Sequence, residues 1–174
     1  MKILAFGAST SSESINRLLA NYVARQIPGS EVTDLDLRSF DLPLYSVDEE
    51  ESTGIPADAR RFFELIQSHD ALVISLAEHN GSYTAAFKNL HDWTSRIEMK
   101  LWSNKPMLLL STSPGGRGGA AVMASAKMTY PHLGADIRAT LSLPSFHENF
   151  DPDKGITDPE LARAFKEATS TIEN

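Results

Sequence analysis

Residues 71–97 read ALVISL, AEHNGS, YTAAFKNLHDWTSRI. ALVISL (71–76) is a near-continuous apolar run, the pattern of a strand buried on both faces. AEHNGS (77–82) is small and polar punctuation. From 83 to 97 apolar residues recur at helical spacing, as on an amphipathic helix. A buried strand running through a short loop into such a helix is half of a parallel βαβ crossover.

The same unit repeats on both sides of this stretch. KILAF (2–6) is a short apolar run closed by Gly7 and followed by ASTSSES. The segment 14–27 carries Ile15, Leu18, Leu19, Tyr22, Val23 and Ile27 at helical spacing until Pro28-Gly29 stops it. EVTDLDL (31–37) alternates as a strand with one wetter face. A long connection, 38–56, holds two prolines and the acidic run Asp48–Glu51, read as a solvated loop surface. ADARRFFELIQSH (57–69) is helical, with Phe62, Phe63 and Ile66 on one face. On the other side, PMLLLS (106–111) is a second fully buried strand and runs into the glycine-rich TSPGGRGGA. The helix that follows continues to Pro131 and is closed by Gly134. ADIRATLSL is a last strand, and Asp158-Pro159 opens a C-terminal helix. Strands alternate with helices throughout, which predicts a three-layer doubly wound α/β fold in one domain, 1–174.

Composition narrows the function. The 174 residues hold 16 Lys+Arg against 23 Asp+Glu, a formal charge of −7. That balance opposes sequence-independent nucleic-acid binding, which needs clustered cations. It also opposes an anionic membrane surface. No apolar stretch approaches the roughly 18 residues that span a bilayer. The N-terminal apolar run is too short for a signal-peptide core, so a cytoplasmic protein is expected. Cysteine is absent, which removes disulfides, thiolate nucleophiles and Cys-ligated metal.

In open doubly wound sheets, ligands bind beyond the carboxyl ends of the strands. The informative loops are therefore those after the first, third and fourth strands: GASTSSESIN, AEHNGS and TSPGGRGG. All three are rich in small residues, and all run into a helix. The first offers Ser9, Thr10, Ser11, Ser12 and Ser14, with Asn16 at the helix opening. Hydroxyls beside a helix N-terminus suit a phosphate. The loop lacks the Gly and Lys spacing of a nucleotide-triphosphate P-loop. Gly116 to Ala121 resembles a dinucleotide fingerprint, but the acidic residue about 20 positions on, Asp136, begins a strand instead of ending one. There is no nucleophile elbow, and His69, His79, His91, His132 and His147 have no metal-ligand spacing.

These loops together resemble the NAD(P)H-dependent FMN reductase family of flavodoxin-like proteins, which includes quinone, chromate and azo-dye reductases. Its members carry a G-S-x-R-x-x-S-x-N loop after strand one, a P-E-Y-N-G-S loop leading to L-K-N-x-x-D-W, and an S-x-x-G-x-x-G-G loop. Here stand GASTSSESIN (7–16), AEHNGSYTAAFKNLHDW (77–93) and STSPGGRGG (111–119), in that order. DLPLY (41–45) with Asp48 resembles the family's loop after strand two. The family arginine of the first loop is absent, and Ala77 and His79 replace its Pro and Tyr.

The resemblance implies a flavodoxin-like three-layer sandwich with a five-stranded parallel sheet in the order 2-1-3-4-5. It implies FMN as cofactor, with its phosphate on Ser9, Ser11, Ser14, Ile15 and Asn16. Ala77, Glu78, His79 and Asn80 would flank the ribityl chain and flavin edge, and Ser113, Gly115 and Gly116 the pyrimidine side. Asn89 and Trp93 are read as packing and helix-register residues. NADPH or NADH would be the co-substrate, passing a hydride to the flavin, and a small-molecule acceptor would then use the same face. No catalytic side chain and no metal are expected, and Arg117 is a candidate contact for the dinucleotide phosphates. The resemblance also implies a homodimer or homotetramer. Two other readings share this fold: a non-enzymatic FMN electron carrier, and an FMN-free ligand-binding protein.

Overall fold

The computed structural model describes residues 1–173. The chain opens with β1 (Lys2–Gly7), α1 (Ile15–Arg25) and β2 (Glu31–Asp34). After a 3-10 turn at Leu37–Ser39 come α2 (Val47–Thr53), α3 (Ala57–Ser68) and β3 (Ala71–Leu76). A two-strand hairpin, β4 (Glu78–His79) and β5 (Ser82–Tyr83), leads into α4 (Ala85–Ser95). The second half holds β6 (Pro106–Thr112), α5 (Ala120–Thr129), a 3-10 turn at Tyr130–Leu133 and β7 (Asp136–Leu143). It continues through α6 (Phe146–Asn149), β8 (Phe150–Asp151), β9 (Gly155–Ile156) and α7 (Pro159–Thr169), ending in a 3-10 turn at Ser170–Glu173.

Five strands form one parallel sheet in the order β2-β1-β3-β6-β7. Counted among themselves, these strands run 2-1-3-4-5, as expected. The alternation of side chains across each strand explains the continuous apolar runs. Ile3, Ala5, Val73, Leu108 and Leu110 point to one face, where α1 and α7 cover them with Leu19, Val23, Phe165 and Ala168. Leu4, Phe6, Leu72, Ile74 and Leu109 point to the other, against Phe62 and Ile66 of α3, Phe87 and Leu90 of α4, and Val122 of α5. Every residue of β3, at the centre of the sheet, is buried.

Capping sets where the helices begin. Ser14, Ser46, Thr84 and Asp158 each accept a first-turn N–H at the start of α1, α2, α4 and α7. Gly134, in the left-handed region at φ 79°, closes the turn before β7.

Three features differ from the expectation. The acidic run Asp48–Glu51 is helical: it forms the first turns of α2, where carboxylates complement the helix N-terminus. The second strand stops at Asp34 instead of 37, because Asp36 turns the chain by capping the 3-10 turn through the Arg38 N–H. The segment between the last strand and the last helix holds α6 and the β8–β9 hairpin. Among the described residues, no helix is long and apolar enough to cross a membrane.

Candidate functional site

β1, β3 and β6 end side by side at Gly7, Leu76 and Thr112, so the three loops singled out above emerge along one edge of the sheet. Gly7 lets α1 come close. A Cβ there would lie 2.2 Å from the backbone N of Arg17 and 2.6 Å from the carbonyl carbon of Asn16. Asn16, buried, then ties the loop to β3 and β6. Its Oδ1 accepts from Ser75 Oγ (2.7 Å) and the Thr112 N–H (3.1 Å), and its Nδ2 donates to the Thr112 carbonyl (3.2 Å). The Asn16 side chain is thus committed to holding the loop, and its backbone N–H remains available.

The first loop is organised to donate. Ser9 Oγ accepts from the Ser11 N–H, Ser11 Oγ from the Glu13 N–H, and Ser14 Oγ from the Arg17 N–H. Each hydroxyl is used as an acceptor, which leaves its own proton to point elsewhere. Among the described residues, the N–H groups of Ser12, Ser14, Ile15 and Asn16 have no protein acceptor. A helix N-terminus with free N–H groups and three free hydroxyl protons is a cradle for an anion.

The second loop is a hairpin. His79 pairs with Ser82 across a two-residue turn, Asn80-Gly81, whose φ values are 52° and 78°. Two successive positive φ angles define a type I′ turn, the geometry that Asn-Gly prefers. Asn80 is exposed at the hairpin tip. Glu78 Oε2 accepts the Val122 N–H (2.9 Å) in the first turn of α5, so its carboxylate braces the hairpin against that helix. Thr84 Oγ1 donates to the Ala8 carbonyl (2.8 Å), tying α4 to the first loop.

In the third loop the Gly115 carbonyl accepts from Gly118 N–H, Ser145 N–H and Ser113 Oγ. Gly115 and Gly116 face open space. Between the three loops lies a cleft of about 250 Å³. Of the residues expected to bind a cofactor, it brings together Ser9, Ser11, Ser14, Ile15, Asn16, Ala77, Glu78, His79 and Ser113. Asn80, Gly115 and Gly116 are not on its wall. Glu13, Thr112, Pro114 and His147 are, and the sequence reading missed them. The first three sit within the quoted loops. His147 arrives from α6, just past the end of β7, the fifth strand on the same edge.

Two further arrangements frame the cleft. Arg17 makes a bidentate pair with Asp34 (2.7 and 3.0 Å) and a third bond to Asp36 (2.7 Å), which binds α1 to the end of β2. The Asp34 hydrogen bond raises the Arg17 pKa, and the Arg38 guanidinium and N–H, with Arg17, hold Asp36 down to about 2. On the other side, Asn89 accepts from the Tyr45 N–H and donates to the Pro43 carbonyl, which Trp93 Nε1 also bonds. The DLPLY segment is clamped onto α4 by these two residues, in the packing role expected of them. A larger groove, about 560 Å³, runs along the outer side of α1 past Leu18, Tyr22 and Phe150. It reaches the end of β2 at Asp34 and shares only Glu13 and Ser14 with the cleft.

A five-stranded 2-1-3-4-5 sheet with an anion cradle after its first strand defines a flavodoxin-like protein. The chain belongs to the NADPH-dependent FMN reductase family, whose model matches residues 1–148. It is 32% identical over 134 residues to an NAD(P)H-dependent FMN reductase of Pseudomonas aeruginosa, covering 76% of this chain and 71% of that one. It is 30% identical over 120 residues to a quinone reductase of Escherichia coli K12, covering 69% of this chain and 64% of the relative's length. Among solved structures, the flavoenzyme NAD(P)H:(acceptor) oxidoreductase FerB from Paracoccus denitrificans superposes with a TM-score of 0.76 at 26% identity, over 99% of this chain and 95% of that one.

Proposed function

We propose that this protein is an FMN-dependent NAD(P)H oxidoreductase that reduces quinones and similar small acceptors, its whole chain, 1–174, serving as one FMN-binding domain. The observation that carries the reading is the set of unsatisfied hydroxyl and N–H donors at the carboxyl end of β1, facing a cleft walled by the other two loops. FMN fits that arrangement: a phosphate for the donors, and a flat ring system for the open side.

Ser9, Ser11 and Ser14 would hold the phosphate through their hydroxyls, with the backbone N–H groups of Ile15 and Asn16. Ala77, Glu78 and His79 would border the ring on one side and Ser113 on the other, while Asn16, Glu78 and Thr84 keep the three loops in register. When bound, FMN supplies the redox chemistry, taking a hydride from NAD(P)H and passing electrons to the acceptor. The proposal needs no acid–base side chain. Arg117 is exposed on the third loop and would meet a dinucleotide phosphate from solvent.

Assembly as a homodimer or homotetramer and a cytoplasmic location complete the reading. The 43–53 segment clamped on α4 exposes Leu44 (83%) and Val47 (60%), an apolar pair suited to a subunit contact. Sedimentation as a monomer at micromolar concentration would refute the assembly. Fluorescence titration of the protein with FMN tests the site itself: saturable binding of one FMN per chain is expected, and weaker FMN binding in Ser14→Ala with Ser9→Ala. Absence of saturable binding would overturn the assignment.

A further inference from the structure

The cleft contains no lysine or arginine among the described residues. The cation nearest in sequence, Arg17, is spent on Asp34 and Asp36, and Arg38 is spent on Asp36. Glu78 is bonded to the N-terminus of α5. Besides His79 and His147, what is left on the wall is Glu13, whose exposed carboxylate pairs with no cation and no hydrogen-bond donor among the described residues. It stands one residue before the N-cap of α1, on the loop that carries the donors. A phosphate seated there would be held by neutral hydroxyls and N–H groups with an uncompensated like charge beside it.

We infer that Glu13 sets the flavin selectivity of this protein: it weakens the hold on the phosphate dianion, so that FMN exchanges with solvent and riboflavin is accepted almost as well. The inference rests on the FMN reading of the cleft and deepens it, naming free flavins with or without phosphate as the ligand class. Ser9, Ser11 and Ser14 still recognise the phosphate, but the net electrostatic gain from it is small. Glu13 is exposed and makes no side-chain contact that folding needs, so it can be replaced without disturbing α1.

The test is a pair of fluorescence titrations, FMN and riboflavin, on wild type and Glu13→Gln at low ionic strength. The wild type is expected to prefer FMN over riboflavin by less than about tenfold. Glu13→Gln should tighten FMN by about three- to tenfold, as removal of one exposed like charge from a dianion site does, and leave riboflavin unchanged. The gain should shrink as salt is added. Parallel changes in both flavins, or no change in either, would overturn the inference while leaving the cleft assignment standing. Failure of wild type to bind either flavin would overturn the cleft assignment, and the inference with it.

Discussion

Replacing Gly7 by alanine puts the close approach of α1 to β1 to a direct test. The added Cβ would sit 2.2 Å from the Arg17 backbone N and 2.8 Å from its Cα, both well inside ordinary contact. The atoms it meets are backbone within a helix, so no rotamer change relieves the clash. The first turn of α1 must move outward by about 1 Å, at an overpacking cost of about 1–3 kcal/mol. The same shift stretches the Asn16 bonds to Ser75 and Thr112, at about 1 kcal/mol for each bond lost. A net destabilisation of about 3–4 kcal/mol is expected, a large part of a typical domain's stability. Urea unfolding would read it as a lower midpoint at unchanged slope. FMN affinity should fall several-fold, since the Ile15 and Asn16 N–H groups travel with the turn. An alanine variant with wild-type midpoint and wild-type FMN affinity would refute the packing argument.

Asn16→Ala should cost about 2–3 kcal/mol in the same unfolding assay, because the buried Thr112 N–H and Ser75 hydroxyl lose their acceptor. Tyr130→Phe should be neutral or mildly stabilising. The hydroxyl is fully buried with no hydrogen bond of ordinary geometry, and burial, with the Tyr83 hydroxyl near it, pushes its pKa well up. Asp36→Asn should cost about 1 kcal/mol near neutral pH, allowing for the partial exposure of the carboxylate. Because the folded pKa lies below the unfolded one, that stabilisation is present above about pH 4 and is lost as the pH falls through about 2, so the two proteins should converge in acid. Arg117→Ala should raise the KM for NADPH several-fold with kcat little changed; an unchanged KM would remove Arg117 from the dinucleotide contact.

Much of the fold could be read from β3 and β6, because strands buried on both faces leave an unbroken apolar run that no surface element shows. Helix starts could be read where Ser14 or Asp158 caps, since the cap is a local hydrogen bond. The features that escaped depend on distant partners. Helix α2 has no buried face of its own and is held through Glu50 to Arg96 on α4, 46 residues away. At the cleft, the serines and Asn16 were identifiable by type and position. The division of labour between them was not. That Asn16 and Glu78 spend their side chains on bracing, while Ile15 offers only its N–H, follows from contacts with β6 and α5. Asn80-Gly81 matches the family motif and also suits the type I′ turn it forms, so sequence alone could not separate a turn role from a binding role. His147 escaped because it lies beyond the last strand, where no motif pointed.

The central claim is that this cleft binds FMN and lets NAD(P)H reduce it. The most direct measurement is the anaerobic visible spectrum of the FMN-reconstituted protein before and after adding NADPH or NADH. Rapid bleaching of the bound flavin is expected, followed by return of the oxidised spectrum when a quinone is added. Flavin that stays oxidised with both donors would contradict it and point to an electron carrier that needs a separate reductase.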